Sequence, residues 1–179
     1  METITIQIIQ SDVYEEVAKA TDYTGSKLID GDDNARERIL AVDDDLSELS
    51  RFWEESVLAT NENLKEMLVS GATKQIPNVQ VLPGDVVEKT ETLAIEDLPS
   101  ARTRTGYEAV IEVSKSFDKA LTASVQSTLR SFFIATIIGY WFKFANKGES
   151  ADYFAQAAEF MTAAERLLYS RRKPSIPKD

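Results

Sequence analysis

The first residues of the chain alternate regularly between apolar and polar side chains. Ile4, Ile6 and Ile8 fall on one side of an extended backbone, and the polar residues between them fall on the other. This period of two predicts a half-buried β-strand over residues 3–9. Residues 107–113 repeat the pattern and predict a second strand, whose apolar face is formed by Tyr107, Ala109, Ile111 and Val113.

The region before the second strand is rich in turn-forming and polar residues. Residues 76–84 contain two prolines and Gly84, which indicates a loop or an edge segment, and residues 86–95 are compatible with a further strand. Residues 96–106 are polar and partly basic, so we expect a hairpin with a long loop at that position. With the N-terminal strand, these segments would form a small antiparallel β-sheet.

Two N-terminal regions have the spacing of three and four residues that amphipathic helices require. The first is predicted to begin at Asp12, to bury Val13 and Val17, and to end near residues 24–26. Glu15 stands three residues after Asp12, as in a capping box.

The second helical region covers about residues 34–70. The acidic triplet at 43–45 predicts a break, after which one acidic side chain can cap a new helix. Gly71 is expected to end that helix, because glycine readily adopts the left-handed conformation of a helix C-terminus.

The C-terminal half predicts a long helical hairpin. Ser116 can cap a helix over residues 117–146, and Gly148 can end it. A second helix over residues 150–170 follows after a very short link, so the two helices must be antiparallel. Residues 132–142 are apolar on nearly every face, so either the N-terminal helices or a neighbouring subunit should enclose them. This run is shorter than the roughly 20 residues of a membrane span, so we interpret it as a buried helix.

These patterns together predict a predominantly helical α+β fold. It would form a single domain over residues 1–179, with a long antiparallel helical hairpin, N-terminal helices and a small antiparallel β-sheet. The long hairpin loop would lie at about residues 96–106, and an extended tail would occupy residues 171–179.

The composition argues against most catalytic chemistry. The chain has no cysteine and no histidine, which excludes thiolate metal sites, cysteine nucleophiles and Ser-His-Asp triads. The segment from Asp30 to Asn34 superficially resembles a calcium loop, but it lacks the glycine and the acidic residue that an EF-hand needs. We therefore expect no enzyme, no cofactor and no metal site, and we interpret the acidic clusters as helix caps and solvated faces.

The charge is distributed unevenly along the chain, which has a net charge of −10. Residues 1–100 contain 22 acidic and 8 basic residues, whereas residues 101–179 contain 8 acidic and 12 basic ones. One interpretation is solubility; the other is a dipolar subunit that joins acidic to basic surfaces when copies or partners stack. The basic residues after the last helix can stabilise the negative C-terminal end of that helix. Alternatively they contact a partner, and we expect an acidic protein surface rather than DNA.

Several segments resemble the head–tail connector proteins of tailed bacteriophages, the adaptor or head-completion class beneath the portal. The segments are the acidic helical sequence ARERILAVDDDLSELSRFWEE, the tail RRKPSIPKD, and the hairpin sequence FFIATIIGYWFKFANKGESADYFAQAAEFM. Within the hairpin, the pattern WF-x-x-x-NK-x-E-x-x-x-YF-x-x-A resembles prophage structural proteins. The predicted strands depart from the almost purely helical adaptors, which leaves a stopper or tail-completion protein as an alternative.

The resemblance implies a ring of subunits around the DNA exit channel, assembled in the host cytoplasm and retained in the virion. The expected partners are further copies of the chain and the portal and tail or neck proteins, with DNA passing through without specific binding and with no membrane. The residues expected to bind partners lie on the tail and the hairpin loop: Arg171, Arg172, Lys173, Pro174, Ile176, Arg102 and Arg104. A non-catalytic cytoplasmic protein-binding domain is the alternative outside the virion.

Overall fold

The computed structural model describes residues 1–27, 45–77, 103–145 and 147–171. Along these residues the elements are, in order, β1 (Glu2–Ile9), α1 (Gln10–Lys27), α2 (Leu46–Asn63), β2 (Leu68–Pro77), β3 (Thr103–Val113), a 3-10 turn (Lys119–Leu121), α3 (Thr122–Ala145) and α4 (Lys147–Leu168). The predicted class, α+β and predominantly helical with a small antiparallel sheet, is confirmed.

The sheet has the strand order β1–β3–β2, and both pairs are antiparallel. Ala109 of β3 stands opposite Ile6 of β1 on one side and Gly71 of β2 on the other. The two apolar faces predicted from the alternation are buried on the same side of the sheet: Ile4, Ile6, Ile8, Tyr107, Ala109, Ile111 and Val113. This side forms the floor of the core, because a sheet with one apolar face must cover it with helices.

Helix α3 is the centre of the helical layer, since it packs against α1, α2, α4 and β1. Lys119–Phe144 is long and apolar enough to cross a membrane by length and composition. In the fold, the apolar run within it lies in the core, with Phe133, Ile137, Ile138 and Phe142 fully or almost fully buried. Helices α1, α2 and α4 and strand β1 thus cover the greater part of this run.

Helices α3 and α4 form the predicted antiparallel hairpin and come very close together at Gly139. A Cβ atom at Gly139 would lie 3.1 Å from ring atoms of Phe154. The hydroxyl of Ser150 donates a hydrogen bond to the carbonyl oxygen of Gly139 at 2.8 Å. Glycine therefore has a packing role here, because a larger residue would require the Phe154 ring to shift.

Three predicted helix starts are wrong. Helix α1 begins at Gln10, directly after β1, so Asp12 lies in the first turn and is not the cap. The long helix begins at Thr122, because Asp118 accepts a hydrogen bond from the Ala120 amide and caps the preceding 3-10 turn. Helix α4 begins at Lys147, so Gly148 lies inside it and does not end α3.

The prediction of a helix up to Ser70, ended by Gly71, is also wrong. Helix α2 ends at Asn63, and Leu68–Pro77 forms strand β2, with Gly71 inside it. The strand is selected by its pairing with β3, which begins where the carbonyl oxygen of Met67 accepts the Glu112 amide at 2.7 Å. Local helix propensity is weak enough for such tertiary pairing to override it.

The hairpin loop predicted at residues 96–106 lies partly in β3, because this strand already begins at Thr103. The remainder of that loop, the predicted strand at 86–95, residues 43 and 44 of the predicted break and the tail from 172 onward lie outside the described residues. Asp45 takes the N-cap position of α2, but its side chain makes no capping hydrogen bond, so the predicted acidic cap is not formed by this residue.

Candidate interaction surfaces

Four aromatic rings near the end of α3 form a continuous cluster, which we call the aromatic ladder: Phe52, Tyr140, Phe144 and Phe154. Phe52 of α2 stacks on Tyr140 with ring centroids 5.4 Å apart and on Phe144 with centroids 6.4 Å apart. Tyr140 meets Phe154 of α4 edge-on at 5.1 Å. The ladder joins α2, α3 and α4. Phe52 at one end of it is buried, whereas Phe144 at the other end is 74% exposed.

Two cations lie over the rings of the aromatic ladder. The ammonium group of Lys143 is 4.6 Å from the centroid of Tyr140 and 4.8 Å from that of Phe154. The guanidinium of Arg51 is 5.1 Å from the centroid of Phe52. Burial and the nearby carboxylate of Glu55 raise the pKa of the Tyr140 hydroxyl.

The face of the sheet opposite the core is polar. Glu108 in the central strand accepts hydrogen bonds from Gln7 of β1 at 3.0 Å and from Lys74 of β2 at 2.8 Å. These contacts hold the pKa of the Glu108 carboxyl below its usual range, with Lys74 the main cause. The carboxylate thus links all three strands across the open face of the sheet.

Arg104 does not stand on a loop tip, as the sequence predicted, but within strand β3. Its guanidinium forms an exposed ion pair with Asp12 of α1 at 3.4 Å. Exposed pairs of this kind contribute roughly 0–1 kcal/mol. Arg104 therefore connects β3 to α1, and Arg102 lies outside the described residues.

A second polar network connects α2 to the edge of the sheet. The Tyr107 hydroxyl donates to Asn61 at 2.8 Å, and the Asn61 amide donates to the Gly71 carbonyl at 3.0 Å. The Trp53 indole N–H donates to Thr73, whose hydroxyl donates to Glu54, each at 3.0 Å. The buried polar ends of Tyr107 and Trp53 are thereby satisfied, which fixes α2 over β2.

Replacing Tyr107 by phenylalanine tests this network. The Tyr107→Phe change keeps the ring but removes the hydroxyl that donates a hydrogen bond to Asn61. The free energy of unfolding should therefore fall by about 1 kcal/mol. Denaturant unfolding followed by circular dichroism measures the change. Tyr169→Phe, at a position that is 63% exposed, is the matched control and should leave stability unchanged. An equal effect at both positions would contradict a stabilising role for the network.

A cleft of about 550 Å³ lies where the ends of β3 and α4 meet the residue before β1 and those before β2. We call it the C-terminal cleft. Its apolar lining is contributed by five residues: Met1, Met67, Val113, Leu168 and Tyr169. Arg171, the one predicted partner-binding residue of the tail that the structure describes, lies on its rim and forms an antiparallel β-bridge with Phe117.

The described residues contain no group of three acidic side chains that could hold a metal ion. Their largest pKa changes belong to tyrosines: burial raises the pKa of Tyr14 to about 12 and raises that of Tyr107 as well. Both rings are core residues, and Tyr14 meets Trp53 edge-on at 6.2 Å. The main cause of both pKa changes is the burial of the two hydroxyls.

The aromatic ladder was not among the residues predicted from the sequence. The signal was present, since Phe144 follows Lys143 at the end of the apolar run. Its exposure, however, depends on where α2 and α4 stop covering α3, and a single sequence does not give this. Comparisons of the chain with protein-family models, with curated proteins and with solved structures gave no match.

Proposed function

We propose that this chain is a structural protein of a tailed-phage particle, a head–tail connector or adaptor that assembles into a ring beneath the portal. It acts through contacts between copies and with portal and tail or neck proteins, without catalysis or a cofactor. It is assembled in the host cytoplasm and remains in the virion. The segments that resemble such connectors in sequence support the class, and the surfaces described above support assembly as the mode of action.

The observation that carries the proposal is the exposure of Phe144 on the aromatic ladder. A ring that is 74% exposed at the end of a core helix contributes little to the fold of one copy. Aromatic and arginine side chains are enriched at protein interfaces and depleted from ordinary surface. Phe144 is also held in place by stacking on Phe52, so it loses little conformational freedom when a partner covers it.

The burial of α3 limits the part of this helix that can contact another copy. Because Phe133, Ile137 and Ile138 are buried within one copy, the length of the apolar run is not available to a neighbour. Within the run, Ile134, Tyr140 and Trp141 are half-buried, and the exposed ring of Phe144 follows shortly after it. A ring requires a head-to-tail contact between two different surfaces of the subunit, and the aromatic ladder would supply one of them.

Replacing Phe144 by alanine should weaken assembly without affecting folding. A buried aromatic residue at the centre of an interface contributes about 2 kcal/mol or more, so Phe144→Ala should weaken association at least about 30-fold. Sedimentation velocity over a concentration series measures this, and negative-stain electron microscopy of the unmodified chain should show rings.

Leu58→Ala is the matched control. Leu58 is 63% exposed on the outer face of α2 and lies outside the aromatic ladder, so its replacement should leave association unchanged. A chain that remains monomeric at every concentration, or equal effects of the two substitutions, would overturn the proposed assembly through this surface.

A further inference from the structure

The C-terminal cleft has the size and lining of a binding site for a short peptide. At about 550 Å³ it falls within the range of roughly 300–1,000 Å³ typical of ligand pockets. Val113 and Leu168 form a buried floor, and Met67 and the exposed ring of Tyr169 form the walls. Methionine adapts to irregular side chains, and tyrosine gives a large contact area at a small entropic cost.

The rim of the C-terminal cleft carries both signs of charge. Glu66 and Glu112 lie on it together with Lys115 and Arg171. A purely acidic or purely basic ligand would meet repulsion from half of this rim. A peptide that carries both signs and one branched apolar side chain can satisfy it.

Residues 172–179 have this chemistry. The segment after Arg171 reads Arg-Lys-Pro-Ser-Ile-Pro-Lys-Asp, with Ile176 as its single branched apolar residue, basic residues on both sides and an acidic one at position 179. The apolar side chain of Ile176 is complementary to the apolar floor of the cleft. The basic residues are opposite in charge to Glu66 and Glu112, and Asp179 is opposite in charge to Lys115. The chain thus supplies a segment whose chemistry complements its own cleft.

Docking between copies follows from the proposed assembly, because a ring needs a contact between two different surfaces of the subunit. Arg171 is one of the residues that line the C-terminal cleft, and it forms a bridge with Phe117 there. Residues 172–179 follow directly on Arg171, so each copy carries one such segment and one such cleft.

We propose that residues 172–179 of one copy occupy the C-terminal cleft of a second copy, with Ile176 on the floor formed by Val113 and Leu168. This inference rests on the proposed assembly of copies and gives it a specific contact. The contact is head-to-tail, because the tail of one subunit and the cleft of the next are different surfaces. It therefore can propagate around a ring, whereas an isologous contact would stop at a dimer.

Disulfide trapping between two singly substituted full-length chains tests the contact. Because the chain has no cysteine, Ser175→Cys in one sample, which keeps Ile176, and Tyr169→Cys in another are each the only thiol present. A disulfide between the two samples, formed with copper phenanthroline as oxidant, can arise only between copies. We expect this mixed product to form at least tenfold faster than with Leu58→Cys, whose position is equally exposed at 63%.

A peptide of residues 172–179 should suppress the mixed product when added in excess, and the same peptide with Ile176→Asp should not. Equal trapping at Tyr169 and Leu58, or insensitivity to the peptide, would overturn the inference. Neither result depends on the aromatic ladder, so rings seen by electron microscopy together with failed trapping would remove only the tail contact. If trapping is efficient but electron microscopy shows no ring, the tail contact is supported and the proposed ring is contradicted.

Discussion

Replacing Phe133 by alanine should lower the free energy of unfolding by about 3–5 kcal/mol, the usual cost of truncating a buried phenylalanine. The Phe133 ring is fully buried and lies between Trp53 of α2, at 4.9 Å between centroids, and Tyr107 of β3, at 5.3 Å. It therefore connects the helical layer to the sheet. Its removal leaves a cavity where three elements meet, and the rigid neighbouring rings can fill that cavity only in part.

The same substitution at Phe144 is the control for Phe133→Ala. Both residues lie on α3, but Phe144 is 74% exposed, so Phe144→Ala should change stability by less than about 0.5 kcal/mol. Urea unfolding of both variants, with comparison of midpoints and slopes, measures the difference. Comparable losses at the two positions would mean that Phe133 does not occupy the centre of the core.

Replacing Gly106 by alanine should cost about 3 kcal/mol, because the added methyl group meets backbone. Gly106 is in the central strand, and a Cβ atom there would lie 2.5 Å from the carbonyl oxygen of Ile8 and 2.7 Å from Cδ1 of Ile76. The Ile76 side chain can rotate, but the carbonyl belongs to the paired strand β1. The β1–β3 pair would have to separate locally, and strain of this kind costs about 1–3 kcal/mol or more.

Gly139→Ala is the informative comparison for Gly106→Ala. At Gly139 the obstacle is the Phe154 ring at 3.1 Å, a side chain that can shift, and alanine gains about 1 kcal/mol of helix propensity over glycine. We expect a net change much smaller than at Gly106. Thermal or urea unfolding of the two variants tests the ranking, and a larger loss at Gly139 would contradict it.

Local pattern was sufficient to predict the elements whose periodicity is strong. The isoleucines of β1 and the apolar face of β3 alternate with a period of two, and both are buried as predicted. The apolar run of α3 predicted a buried helix in an antiparallel hairpin with α4, and the short link between the two helices left no other arrangement. In these segments, side-chain burial and local geometry favour the same structure.

Where the prediction was wrong, pairing partners distant in sequence decided the structure. Leu68–Pro77 follows an amphipathic helix and contains Gly71, so its local signal suggested the end of a helix. In the fold it is a strand, because β3 offers it an antiparallel partner whose paired residues lie 26 to 43 positions later in the sequence. Arg104 appeared to belong to a loop for the same reason, since only the pairing with β2 extends β3 back to Thr103.

The sequence by itself determined the fold class, the buried faces of β1 and β3, the helical hairpin, and the absence of cysteine and histidine chemistry. These follow from composition and from periodicities that act over a few residues. Tertiary structure alone decided which part of α3 is covered, which rings form the aromatic ladder, and that Arg171 lies on the rim of a cleft. Each of these depends on where separate elements end in space, because burial is a property of the packed layers and not of any one segment.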